Sequence, residues 1–206
     1  MVVPSHSPAE TKMTPESSMA TKAALRETLR GRRRAYAASL SPETRGALEA
    51  ELARVLEPLL FAASVVAGYF PMKEEVSVSP ALDRARALGK IAALPAFAAR
   101  DSRMTFREGP AVDPGPWGIL QPDSDAPIVA PDLLLIPLVG IDGQGNRIGM
   151  GKGHYDRALA GLRDAGARLI GVGWEFQMIE QAIAPDAWDV PLDGFASPAG
   201  LVEFAR

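Results

Sequence analysis

Leu133-Leu134-Leu135-Ile136-Pro137-Leu138-Val139-Gly140-Ile141-Asp142-Gly143-Gln144-Gly145-Asn146-Arg147-Ile148-Gly149-Met150-Gly151-Lys152-Gly153-His154-Tyr155-Asp156 is the stretch from which the architecture is read. Its opening apolar run, stopped by Pro137, has the pattern of a strand buried on both faces. The glycine-dense segment behind it reads as a loop, and a helix is expected to begin near His154. Leu169 to Gly173, beyond that helix, is a further buried strand.

Working upstream, the same alternation of elements continues. Ile91 to Leu94 reads as a strand, and so does Val65 to Phe70, ended by Pro71; between them Ser79-Pro80 opens a helix that Gly89 closes. These elements make a right-handed β-α-β unit. Ser41-Pro42 starts another helix, because serine accepts an unpaired backbone N–H and proline fits the first helical position; Leu48, Leu52, Val55, Leu56 and Leu59 form its buried stripe. Earlier still, Leu25, Leu29 and Tyr36 recur at helical spacing beside a cationic stripe of Lys22, Arg26 and Arg30. Met104 to Arg107 is expected as a peripheral strand and Gly109 to Pro131 as a long Pro- and Gly-rich surface excursion. The fold class is therefore α/β, a sandwich whose sheet has at least four strands.

With 206 residues and no long linker, a single domain is expected over 21–206, preceded at 1–20 by a disordered leader rich in Ser, Pro and Thr. A formal net charge of −3 supplies no general basic field, so nucleic acid is not an expected partner; the dense run Arg30, Arg32, Arg33 and Arg34 reads as a solvated helix face or a polyanion site. Absence of cysteine removes disulfides, thiolate metal sites and cysteine nucleophiles, and it suits a reducing compartment, with the cytoplasm as the expected location. Met1 to Ala20 lacks the apolar segment of a secretory signal and no window reaches membrane-spanning length, so no membrane association is expected.

The chemistry concentrates in the glycine loop. Glycines let backbone N–H groups approach an anion, the following helix N-terminus adds partial positive charge, and Arg147 and Lys152 add full charges. The pattern is not a Walker A loop, since Lys152 precedes Gly153 instead of Ser or Thr, and it is not G-x-G-x-x-G. Asp156 caps the helix or holds magnesium beside phosphates, and Asp189, in a turn segment, bonds its own backbone or serves as a ligand. Lys22 and Arg26, at i and i+4, grip phosphate groups or stay solvated. Glu74-Glu75, beyond a strand end, is a ligand contact or a surface turn. Trp117 plugs the core or covers a planar ligand.

These residues resemble the 5-formyltetrahydrofolate cyclo-ligase (5,10-methenyltetrahydrofolate synthetase) family over almost everything from Lys22 to Phe204. Gly145 to Asp156 is similar to the family's N-R-L-G-x-G-x-G-Y-Y-D signature, and Lys22-x-x-x-Arg26, Met72 to Val76, Trp117 to Pro122 and Asp189 before Pro191 and Asp193 follow in the family's order. The resemblance implies a three-layer α/β/α sandwich with a mainly parallel sheet. It implies an enzyme that uses ATP and Mg2+ to cyclise 5-formyltetrahydrofolate to 5,10-methenyltetrahydrofolate, with release of ADP and phosphate, acting as a monomer on these small molecules. By the same resemblance ATP meets Lys22, Arg26, Arg147, Ile148, Gly149, Met150, Gly151, Lys152, Gly153, His154 and Tyr155, with Lys152 and Arg147 catalytic. Folate meets Phe70, Glu75 and Trp117, and Asp156 and Asp189 serve the metal. His154 stands where the family usually has a first tyrosine, Met150 fills a variable position, and Val76-Ser77-Val78 lacks the acidic or threonine residues common there.

Overall fold

The computed structural model describes residues 15–116, 118–151 and 154–205, with side chains from Lys22 onward except those of His154, Asp156 and Arg157. Helices α1 (Pro15–Ser39) and α2 (Pro42–Ala62) lead into strand β1 (Val65–Ala67), helix α3 (Ser79–Ala87) and strands β2 (Ile91–Ala96) and β3 (Thr105–Glu108). Three two-residue strands follow, β4 (Asp113–Pro114), β5 (Leu120–Gln121) and β6 (Ile128–Val129). Strand β7 (Leu133–Pro137) precedes a hairpin of β8 (Gly140–Ile141) and β9 (Arg147–Ile148), then helix α4 (His154–Asp164) and strands β10 (Arg168–Val172), β11 (Gly194–Ser197) and β12 (Gly200–Glu203).

Eight strands make one sheet in the order β12-β11-β10-β7-β1-β2-β3-β6. Its five central strands are parallel, and β12 at one edge and β3 and β6 at the other are antiparallel. Period-two alternation of side chains divides these strands between two cores. Val66, Ala92, Leu94, Leu133, Leu135 and Ile170 face Leu52, Leu56 and Leu60 of α2 and Leu82 of α3. Ala67, Ala93, Leu134, Ile136 and Leu169 face the other way, toward Leu159 of α4. The expected three-layer α/β/α sandwich with a mainly parallel sheet is the observed arrangement. Among the described residues no helix is long and apolar enough to cross a membrane.

Two stretches depart from the sequence reading. The apolar run Val65 to Phe70 pairs as a strand only over Val65–Ala67; Gly68 still donates to the Ala93 carbonyl and lies so close under α3 and its lead-in that a side chain there would meet Val78 at 2.9 Å. The supposed surface excursion returns to the sheet: β6 pairs with β3, and β4 with β5 forms a small ribbon. Short turn-rich strands carry too little apolar periodicity to be read beforehand.

The predicted start of α2 is realised, with the Ser41 hydroxyl accepting from the Thr44 N–H at 3.1 Å and Pro42 in the first turn. Replacing the exposed Ser41 with alanine is expected to lower unfolding free energy by about 1 kcal/mol in a urea titration, with the slope of the transition unchanged.

Strand order fixes where a ligand can enter. From β1 the chain moves to β2 on one side and later to β7 on the other, so loops leaving the carboxyl ends of β1 and β7 diverge and open a crevice between them. Helix α1 lies across this end. Its Leu29 packs with Val139, Ile148 and Ile183, against a backbone at Gly140 that has no room for a side chain.

Candidate active site

The crevice holds a cavity of about 600 Å³. One wall is α1, which presents Lys22, Arg26 and Arg30 at four-residue spacing; the β9 loop contributes Arg147 to Gly151, and the turn 186–189 contributes Asp186, Trp188 and Asp189. The opposite wall is apolar. Phe70, Met72 and Ile119 each leave about two fifths of their surface uncovered there, and Trp188 is 69% exposed. Four large apolar side chains left uncovered in one concavity point to a ligand with a substantial nonpolar face.

At the cationic end Lys22 is nearly buried, and its ammonium donates to Asp186 at 2.7 Å and to Asp189 at 2.8 Å. Burial pulls this ammonium down, but the two carboxylates outweigh burial and hold it above its ordinary value. Asp189 also accepts from the backbone N–H of Asp186 at 2.9 Å, so its turn and its ion pair share one oxygen. Arg26 donates through Nε to the Gly149 carbonyl at 2.8 Å, tying α1 to the glycine loop. Gly151 sits at φ +87°, a conformation that favours glycine. Arg147 donates to the Val190 carbonyl at 2.9 Å.

The apolar end closes on Glu75, a buried carboxylate. It accepts from the Met72 N–H at 2.9 Å and from Arg33 at 3.3 Å. Burial raises its pKa, and these two partners offset only part of that, so the carboxyl stays above the usual range. Burial likewise lifts the Tyr155 and Tyr69 phenols, with the Glu75 charge adding to both; Tyr69 donates to the Val76 carbonyl at 2.7 Å. The loop carrying Glu75 is held from outside. Arg45 donates to the carbonyls of Lys73 and Glu75, Glu49 accepts from Ser77, and the Trp174 indole donates to the Glu74 carbonyl. Glu75 thus closes the turn that starts at Met72, but its carboxylate is buried in the cavity and not solvated.

Lys22, Arg26, Phe70, Glu75, Arg147, Ile148, Gly149, Met150, Gly151, Tyr155 and Asp189 all line this one cavity. Trp117, Lys152 and Gly153 lie outside the described residues, as do the side chains of His154 and Asp156. Sequence reasoning passed over Tyr69, Met72, Ile119, Asp186 and Trp188; of these, Asp186 had a signal, its three-residue spacing from Asp189. Reading Arg30 to Arg34 as a solvated face is corrected at Arg33, which is 3% exposed and bonded inside the site. It continues the Lys22, Arg26, Arg30 stripe by one more turn, and that continuation was its signal.

Among the described residues no group of three or more His, Cys, Asp or Glu side chains is placed to hold a metal ion. Magnesium needs less, because it is ordinarily held by one or two carboxylates together with substrate phosphates and water. Asp186 and Asp189, paired on the Lys22 ammonium at the cationic end, are hard oxygen donors of that kind.

The sequence model of the 5-formyltetrahydrofolate cyclo-ligase family matches residues 18–198. The 5-formyltetrahydrofolate cyclo-ligase of Haemophilus influenzae is 38% identical over 80 residues, 37% of this chain and 42% of that protein. Its counterpart in Escherichia coli K12 is 33% identical over 78 residues, 38% of this chain and 42% of that one. The matched stretch thus spans less than half the length of these curated relatives. Among solved structures, a 5,10-methenyltetrahydrofolate synthetase from Mycoplasma pneumoniae superposes with a TM-score of 0.66 at 26% identity, over 86% of this chain and 98% of that one. The 5,10-methenyltetrahydrofolate synthetase of Aquifex aeolicus gives 0.72 at 28%, over 90% and 93%.

Proposed function

The chain belongs to the 5-formyltetrahydrofolate cyclo-ligase family, and from that premise we propose that it is an ATP- and magnesium-dependent ligase converting 5-formyltetrahydrofolate to 5,10-methenyltetrahydrofolate, ADP and phosphate. The observation that carries this reading is the two-ended cavity: a cationic stripe and glycine loop at one end, an uncovered apolar wall leading to a buried carboxylate at the other. A polyanion and a flat heterocycle fit side by side in such a space.

In the proposed reaction the formyl oxygen on N5 attacks the γ-phosphorus of ATP and ADP leaves. N10 then bonds to the activated formyl carbon and loses its proton, the phosphorylated oxygen departs as phosphate, and the methenyl bridge remains. The protein's part is alignment and charge stabilisation, without a protein nucleophile. Lys22, Arg26 and the loop from Arg147 to Tyr155 hold the triphosphate, with Arg147 and Lys152 set against the transferring group. Phe70 and Trp117 cover the pteridine ring and Glu75 accepts from its N–H edge. Asp156 and Asp189 hold magnesium, which when bound neutralises phosphate oxygens. A monomer acting in the cytoplasm on these small molecules completes the reading.

Mixing the protein with 5-formyltetrahydrofolate and magnesium and following the near-ultraviolet absorbance of the methenyl product tests it. A rise that requires ATP is expected. A folded protein that binds both ligands and gives no rise is a binding relative and not an enzyme.

A further inference from the structure

We infer that Arg33 is a positioning residue for substrate recognition, fixing the Glu75 carboxylate at the apolar end of the cavity as the acceptor for ring N–H donors. The inference rests on the functional reading above, in which that end receives the pteridine.

Arg33 is buried to 3% exposure and touches three separate elements. Its guanidinium donates to Glu75 and to the Leu138 carbonyl, both at 3.3 Å, and lies 3.9 Å from the sulfur of Met150. Helix α1, the loop behind β1, the end of β7 and the glycine loop therefore meet at one side chain. Its Nε is buried without a hydrogen-bond partner. A buried ion pair with long contacts and an idle donor is a poor source of stability, since removing both charges from water costs as much as their attraction returns. What this arrangement supplies is direction. Arg33 approaches Glu75 at Oε1 and the Met72 N–H holds Oε2, so the carboxylate plane is set from two sides.

The charge state of Glu75 depends on the same contact. Burial raises its pKa, while the Met72 N–H and the Arg33 guanidinium lower it. Glu74 and Tyr69 on its own loop and Tyr155 on α4 disfavour its charge or share its field, and Arg147, Lys22, Arg26 and Arg30 face it across the cavity. Without Arg33 the carboxyl takes up a proton at higher pH, and the neutral acid loses acceptor capacity toward paired N–H donors.

Equilibrium binding of 5-formyltetrahydrofolate, measured against pH for the wild type, Arg33→Met, Arg33→Lys, Glu75→Gln and the Arg33→Met/Glu75→Gln pair, tests this. Arg33→Met is expected to weaken folate binding about tenfold at neutral pH and to move the acid-side loss of binding to higher pH, with ATP affinity kept. Arg33→Lys restores part of both effects and keeps the test usable if Arg33→Met does not fold. On the Glu75→Gln background, Arg33→Met adds nothing. An unmoved acid limb, or a full additional loss on the Glu75→Gln background, overturns the inference. A wild type that binds no folate overturns the functional reading itself; a wild type that binds, weakened by Glu75→Gln but not by Arg33→Met, overturns the Arg33 inference alone.

Discussion

Replacing Lys152 with alanine is expected to lower turnover of the ATP-dependent cyclisation by about two to three orders of magnitude, the loss typical when one preorganised charge is withdrawn from a transition state. Lys152 follows Gly149-Met150-Gly151, the part of the glycine loop that lines the cavity and is tied to α1 through Arg26. In the loose, metaphosphate-like transition state of phosphoryl transfer, negative charge shifts toward the oxygen that leaves with ADP and spreads over the equatorial oxygens. A cation there acts on the transition state more than on bound ATP, so kcat is expected to fall more than KM rises. The melting temperature, followed in parallel, is expected to move by no more than about 2 °C, so that the lost turnover reads on the chemistry and not on folding. Unchanged turnover would remove Lys152 from the mechanism.

Gly145→Ala is expected to do the opposite, damaging the fold ahead of the chemistry. Gly145 sits at φ +83° in the turn between β8 and β9, and a Cβ there would come within 2.4 Å of the Leu192 carbonyl oxygen and 3.1 Å of the Leu192 nitrogen. Both are backbone atoms, and Leu192 N–H already donates to the Gly145 carbonyl at 2.9 Å, so neither strand of chain has freedom to move aside. The turn is further fixed by Asp142, a buried carboxylate accepting from the backbone N–H groups of Gln144, Asn146 and Ile183 and from the Asn146 side chain. A loss of about 3 kcal/mol is expected, seen as a fall of roughly 10 °C in melting temperature. Gly143→Ala, two residues away, is the control: nothing lies within 4 Å of its hypothetical Cβ. It is expected to change stability by less than about 0.5 kcal/mol, and equal losses from the two would show that the close approach is not what matters.

That contrast bears on how the sequence was read. Pattern alone does not tell the loop glycines apart, and only the resemblance sets Gly149, Gly151 and Gly153 against ATP; Gly145 is spent on packing against Leu192 while Gly149 and Gly151 line the cavity. Local pattern gives the type of a residue and not the direction in which its surroundings close. The strands at Leu133 and Leu169 and the cap at Ser41 were legible because they rest on near neighbours in the chain. Val65 to Phe70 reads as one strand because it is apolar throughout, while the pairing ends at Ala67 and Gly68 packs closely under Val78 and Leu82. A dense basic run reads as a solvated face, and Arg32 and Arg34 are exposed, but Arg33 is buried where the Glu75 loop and the end of β7 come together over it. The Asp186 carboxylate meets Lys22, 164 residues away, a contact that no local pattern reveals.

The ion pair of Lys22 with Asp186 and Asp189 also has a meaning in time. When the chain is synthesised, Lys22 leaves the ribosome long before its partners, and the parallel strands β1, β2 and β7 that shape the crevice are made in between. Domains fold largely as units once their residues are available, and closing so long a loop is an entropic cost met only after the sheet has formed. Until residues 186–189 arrive, the cationic end of the cavity has no anchor for its lysine, and α1 has one contact fewer holding it over the crevice. The completed clasp is in that sense a signature of completed synthesis: a shortened chain that stops before Asp186 carries β1, β2, β7, the glycine loop and its Arg26 tie to the first helix, but not the two carboxylates that hold Lys22.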